Sequence, residues 1–202
     1  MLMKLPACAG TSCVPTTKRT AERPLLFGVL QSLLLMHTAE ESYPGYSVSQ
    51  NFISDLGVTC RDSACSIVQP SSTIFNSSIM VPGLTLMASS YLLYRQYSYG
   101  LFPGFLSIAG IGTVCVGLFP VSAGSVHLIV SAITFLFGGL ATIASYRIVK
   151  SVLSYFSISL GLMTLVALIF YKSRLYLGLG AGGMERMIAF PVLFWCLSLV
   201  ER

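Results

Sequence analysis

The chain has 202 residues, of which 54% are hydrophobic and only 9% charged, and a formal net charge of +5. A soluble domain carries about 25% charged residues, so this composition excludes a water-soluble globule and makes lipid the solvent for much of the surface. The basic residues are sorted by side along the chain, as taken up below, so the net charge is no sign of a nucleic-acid partner.

Residues 1–22 read as a polar tail. Leu5-Pro6-Ala7-Cys8 has the look of a lipoprotein box but lacks the apolar run that must precede one. Lys18, Arg19 and Arg23 come just before Pro24, which suits the first helical position. The first apolar run, about 24–40, reaches the roughly 20 residues of a span only with its polar flanks. His37-Thr38-Ala39-Glu40 is a poor cleavage site, so this run is read as a retained helix rather than a signal peptide.

Between the first two apolar runs lies Pro44-Gly45-Tyr46-Ser47-Val48-Ser49-Gln50-Asn51-Phe52-Ile53-Ser54-Asp55-Leu56-Gly57. Ser49 suits a helix start and Gly57 a helix stop. Ser47, Asn51 and Asp55 fall on one helical face, and Val48, Phe52 and Leu56 on the next. The pattern predicts a short interfacial helix, with Asn51 and Asp55 turned toward the protein and Tyr43 and Tyr46 at the lipid headgroups. A solvated loop whose polar residues cap turns is the competing reading. Cys60 and Cys65 follow, close enough to close a small disulfide loop on an oxidising face; two free thiols are the alternative. Cys115 and Cys196 sit in apolar runs and read as small core hydrophobes.

Four longer apolar runs come next, about 71–94, 101–121, 125–146 and 151–171. A last run, about 183–200, is just long enough to span. Pro82 and Pro191 fall within runs and are expected to kink them. Gly104, Gly110, Gly117, Gly138, Gly139 and Gly161 are expected to let helices approach closely. Gly178-Leu179-Gly180-Ala181-Gly182-Gly183 matches a dinucleotide fingerprint in letters only; it follows no strand, and reads as a flexible turn. The expected fold is all-α, a polytopic bundle of six transmembrane helices in one domain, 23–202, with the interfacial helix after the first span.

Six spans put both termini on one side. That side holds eight of the twelve basic residues, and the other holds five of the seven acids, Glu40, Glu41, Asp55, Asp62 and Glu185. The expected location is the cell membrane, multi-pass, with both termini cytoplasmic. Asn51, Asp55, Asn76, His127, Glu185 and Arg186 then all map to the extracytoplasmic ends of helices. Ionisable groups at membrane depth are costly and tend to be paired or functional.

These six residues are the candidate binding set, and Asp55, His127 and Glu185 the candidates for chemistry. His127 suits a proton carrier or metal ligand, or an interfacial hydrogen bond. Asp55 suits a base, or an ion pair with Arg186. Glu185 suits a stabilised acid at a helix start, and Arg186 a phosphate clamp. Asn76 opens an Asn-Ser-Ser acceptor triplet but lies too deep to be glycosylated. The three segments carrying this set are expected to meet, with Asp55 or Asn51 in hydrogen-bond reach of His127 or Arg186. No Cys/His cluster has zinc spacing, and no cofactor or metal is expected.

Taken in order, Pro44-Gly45-Tyr46-Ser47, Asn51-Phe52-Ile53-Ser54-Asp55-Leu56-Gly57, Phe75-Asn76, Gly117-Leu118-Phe119-Pro120 with His127, Phe137-Gly138-Gly139-Leu140-Ala141 and Gly182-Gly183-Met184-Glu185-Arg186 with Pro191 form a pattern. It resembles the domain of unknown function 998 family of archaeal and bacterial membrane proteins, from about Leu25 to Leu199. The resemblance implies a six-helix integral membrane protein and no established activity. More loosely, the chain resembles membrane families that handle or sense lipids. The leading expectation is a lipid-binding or lipid-modifying protein with a polar extracytoplasmic pocket and membrane lipids as partners. A structural or assembly subunit, with a membrane-protein partner or as a homo-oligomer, is second. A small transporter is third, because no span carries a mid-membrane charge.

Overall fold

The computed structural model describes residues 16–62, 64–96, 100–148 and 152–199. Six helices account for most of it: α1 (Thr16–Glu41), α2 (Ser71–Gln96), α3 (Leu101–Leu118), α4 (Ser125–Ala144), α5 (Val152–Lys172) and α6 (Gly180–Ser198). Each packs against the next in sequence, and α6 returns to touch α1 and α4, which closes the bundle. A two-stranded antiparallel hairpin, β1 (Thr59–Arg61) and β2 (Ala64–Ser66), stands between α1 and α2.

Three segments are long and apolar enough to cross a membrane: α3, α4 with its extension to Arg147, and α5. The other three helices carry polar groups along their length. Glu185 and Arg186 lie in the first turns of α6, and Gln31, Ser32, His37, Glu40 and Glu41 lie in α1.

Two expectations about α1 are corrected. The helix begins at Thr16, so residues 16–22 are helical rather than tail, and Pro24 lies inside it. A proline there removes one backbone donor from the ladder, yet the helix runs on. Of the expected tail, residues 1–15, with Cys8 and Cys13, lie outside the described residues. Pro82 and Pro191 likewise lie within continuous helices.

Helix approach follows the small residues. A side chain on Gly110 would meet the Gly83 carbonyl at 2.8 Å, so α2 and α3 cross backbone to backbone there. Gly104 instead borders open space, and Gly138 has only ordinary contacts around it.

The interior has an inner and an outer cluster. In the inner one, Trp195 is fully buried, donates from Nε1 to Ser145 Oγ at 2.9 Å and meets Phe102 edge to face. In the outer one, Ala39, Ile53, Leu56 and Phe75 pack together beneath the α1–α2 connection. That connection, residues 42–70 with the hairpin, forms a cap over one end of the bundle.

Candidate functional site: a latched cap above an apolar cavity

The cap does not contain the expected interfacial helix. Residues 47–51 make one turn, and a 3₁₀ turn occupies Ser54–Leu56. Side-chain oxygens take the amides that a helix would need. Asn51 Oδ1 accepts from the Ser47 N–H at 3.0 Å, and Asp55 Oδ2 accepts from the Phe52 N–H at 2.9 Å. The Ile53 N–H donates to Glu185 Oε2 of α6 in a very short bond. Asn and Asp compete with helices in this way. The two faces therefore break up: Val48 is exposed, whereas Leu56 and Asp55 are buried.

Arg186 is the centre of the latch. Its side chain is 8% exposed and pairs with Glu40 at 2.6 Å. It also donates to the Tyr46 hydroxyl at 2.8 Å and to the carbonyls of Val48 at 2.9 Å, Gly182 at 3.2 Å and Asn51 at 3.3 Å. The Tyr46 hydroxyl in turn donates to the Phe52 carbonyl at 2.8 Å. One guanidinium thus joins the end of α1, the cap and α6. The expected clamp on a lipid phosphate gives way to this, because the guanidinium already faces five protein acceptors. Burial pushes the Tyr46 hydroxyl well above the ordinary tyrosine range, against the opposing effect of Arg186. Tyr46 and Tyr43 are not headgroup anchors: Tyr43 donates to Thr59 Oγ1 at 2.7 Å, and that hydroxyl donates to the Asp55 carbonyl at 3.0 Å.

Asp55 pairs with Arg61 of β1, not with Arg186. Its side chain is fully buried, and Arg61 Nη2 reaches its Oδ2 at 2.6 Å. The hydrogen bond to Asp55 holds the Arg61 guanidinium still higher than usual. Asn51 Nδ2 adds a bond to the same carboxylate at 3.3 Å. Cys60 and Cys65 face each other across the hairpin and are joined as a disulfide, which fixes the strand that carries Arg61.

The glycine-rich run is no flexible turn: from Gly180 on it forms the first turn of α6. A Cβ on Gly182 would fall on the Asn51 carbonyl oxygen, and the Gly182 N–H donates to the Ser49 carbonyl at 2.9 Å. Only glycine lets the cap backbone sit this close. Ser49, expected to cap a helix through its side chain, contributes its backbone carbonyl instead.

His127 and Asn76 stand apart from the latch. His127 is buried; its Nδ1 bonds the Phe119 carbonyl at 2.7 Å and its Nε2 meets Ser131 Oγ at 3.3 Å. Nδ1 must carry a proton, since a carbonyl only accepts. This ties the end of α3 to α4 just before Pro120. Asn76 lies against Gly57 and donates to Ser72 Oγ at 3.3 Å. Among the described residues, no group of three His, Cys, Asp or Glu is placed to hold a metal ion.

Of the six sequence candidates, Asn51, Glu185 and Arg186 meet in the latch, Asp55 is bound to its edge, and His127 and Asn76 are engaged elsewhere. Glu40 was not singled out. Its one signal was charge balance: a buried arginine requires an acid, and Glu40 was one of several acids the sequence offered.

Below the cap is a cavity of about 140 Å³. One face each of α1, α2 and α6 forms most of its wall, with smaller contributions from α3 and α4. The α6 face runs from Glu185 through Ala189 and Val192 to Cys196. Ile53 of the cap and Glu185 line the end nearest the cap, and among the described residues Glu185 is the only charged side chain on the wall. The two adjacent residues of α6 therefore face different ways: Arg186 into the cap, Glu185 onto the cavity.

A family model described as a protein of unknown function, DUF998, matches residues 26–200. The chain belongs to the DUF998 family. The match covers all six helices except the first turns of α1, and takes in the cap, the latch and the cavity wall alike. No curated protein and no solved structure matches the chain.

Proposed function

We propose that this DUF998 protein is a lipid-binding protein of the cell membrane that takes one apolar chain into the cavity beneath its cap. All six helices cross the bilayer in this reading, with the cap outside and both termini cytoplasmic, as the bias of basic residues favours. The α1, α2 and α6 helices are less apolar because they face the cavity and the latch.

The observation that carries the reading is the length and lining of the cavity. From Glu185 to Cys196, at about 1.5 Å per residue, the wall runs for about 16 Å. One leaflet is half of a hydrocarbon core roughly 30 Å thick, so the cavity is as deep as a leaflet. Most of its lining residues are Leu, Ile, Val, Phe, Ala and Met, and pockets of this kind take apolar ligands oriented by a few polar groups. Binding fits better than chemistry, because Asp55, His127 and Arg186 all have protein partners that hold the fold together.

Native mass spectrometry of protein purified in a gentle detergent tests this. A co-purified lipid is expected on the wild type and is expected to be lost from Ala189→Phe, whose ring occupies the cavity. Equal lipid adducts on both proteins would overturn the reading.

A further inference from the structure

The hydroxyl groups on the cavity wall are all engaged in the same way. Five hydroxyl side chains line it, and every one donates its proton to its own helix. Ser32 donates to the Val29 carbonyl at 2.9 Å, Ser78 to Phe75 at 2.9 Å and Thr85 to Pro82 at 3.0 Å. Thr113 donates to Ala109 at 2.8 Å and Thr134 to Val130 at 2.9 Å. A hydroxyl has one proton and two lone pairs, so each of these oxygens retains only acceptor capacity. Pro82, also on the wall, has no N–H to give, which leaves the Ser78 carbonyl without its helical donor. Glu185 brings a carboxyl group whose Oε2 already accepts from the Ile53 N–H. The remaining polar atom, the Cys196 thiol, is a weak donor at the inner end.

From this we infer the class of ligand, resting on the cavity reading above: an apolar chain whose head is a hydrogen-bond donor without negative charge, such as a long-chain alcohol. A carboxylate or phosphate head finds no free donor among the wall hydroxyls and would bury its own charge in a medium of low dielectric. Arg186, the neighbouring cation, points away from the wall into the latch, where five acceptors hold it. An alcohol head finds an acceptor at whatever depth it settles, and Glu185 provides the strongest one at the outer end. A wall whose hydroxyls offer only lone pairs discriminates by head, since an anionic head is buried there without donors.

Binding of tritiated hexadecanol to the full-length protein in detergent micelles, competed by unlabelled hexadecanol, hexadecanoate and hexadecyl phosphate at neutral pH, tests the assignment. The chains are alike, so only the head differs. Hexadecanol is expected to compete at a concentration about tenfold or more below either anion, a gap of about 1.4 kcal/mol or more. Ala189→Phe is expected to lose the competable signal altogether. Glu185→Gln keeps an oxygen for the Ile53 N–H and is expected to narrow the gap between alcohol and anions. An unchanged gap in Glu185→Gln would remove Glu185 from the selection. Anions competing as well as the alcohol, with the signal still abolished in Ala189→Phe, would overturn the donor-head assignment and leave the cavity reading standing. Competable binding no greater in the wild type than in Ala189→Phe would overturn the cavity reading itself. The ranking of heads on the wild type decides the matter even if the Glu185 variant does not fold.

Discussion

Arg186→Ala is the perturbation that most directly tests the latch. The change removes a buried guanidinium with five acceptors and leaves the Glu40 carboxylate, 17% exposed, without its partner. Breaking a buried pair from one side costs about 3–5 kcal/mol. Glu40→Gln keeps an amide oxygen for Arg186 and leaves its other four bonds intact. The cost of a lost charged hydrogen bond is about 1.5–3 kcal/mol, and the partial exposure of Glu40 puts this one at the lower end. The two changes share one contact, so the double variant is expected to fall short of the sum by about 1–3 kcal/mol. Cys196, 2% exposed, provides the readout: a thiol-reactive dye reports its exposure during a thermal scan, in a background with Ser at Cys8, Cys13 and Cys115. At 2–4 °C per kcal/mol for a chain of this size, Arg186→Ala is expected to melt roughly 10 °C below the parent. A melting point within about 2 °C of the parent, or strictly additive losses in the double variant, would refute the latch.

Three further outcomes are expected. Mass mapping of unreduced protein should recover Cys60 and Cys65 as one linked peptide; recovery of both as free thiols from unreduced cells would remove the hairpin's covalent tie. Single cysteines replacing Gln69 and Tyr146, both exposed, should differ toward an impermeant thiol reagent on intact cells, with only the first labelled; the reverse pattern inverts the orientation. Finally, burial raises the Tyr46 hydroxyl above its unfolded value, so its contribution to stability is complete below about pH 10 and declines as pH rises beyond that. Tyr46→Phe should therefore show a shallower alkaline loss of melting temperature than the parent, and identical slopes would mean that Tyr46 is not held neutral by the cap.

The membrane class and the six helices were legible because a lipid-facing chain cannot hide its composition, and long apolar runs have few other uses. The meeting of Asn51 with Glu185 and Arg186 was legible in part, since charge in so apolar a chain seeks partners. The ion pairs were not. Arg61 lies six residues from Asp55 along the chain, but only the hairpin folds it back onto that carboxylate. Arg186 reaches Glu40 across 146 positions, and a sequence without its contacts gives no reason to prefer Glu40 to Asp55. The interfacial helix failed for a local reason: helical periodicity counts side-chain faces but not the backbone amides that Asn51, Asp55 and Glu185 take away. The cavity could not be read at all, since its wall is made of the same apolar residues as any packed core.

The division of labour between Glu185 and Arg186 bears on how this fold admits a ligand. One residue holds the cap through Tyr46 and the carbonyls of Val48 and Asn51, and ties it to α1 through Glu40; the next holds it through the Ile53 N–H and also forms part of the cavity wall. Only the second lies where a ligand in the cavity can touch it. Occupancy can therefore bias the Glu185 contact while the Arg186 contacts hold the cap in register. A head that donates to Glu185 adds a partner to a carboxylate already bonded to Ile53, and so tightens the closed cap. A head that repels it weakens the same contact from below. In the lipid-binding reading proposed above, the cap and the cavity meet at this carboxyl group, and a donor-headed lipid would add to the contacts that hold the cap in place.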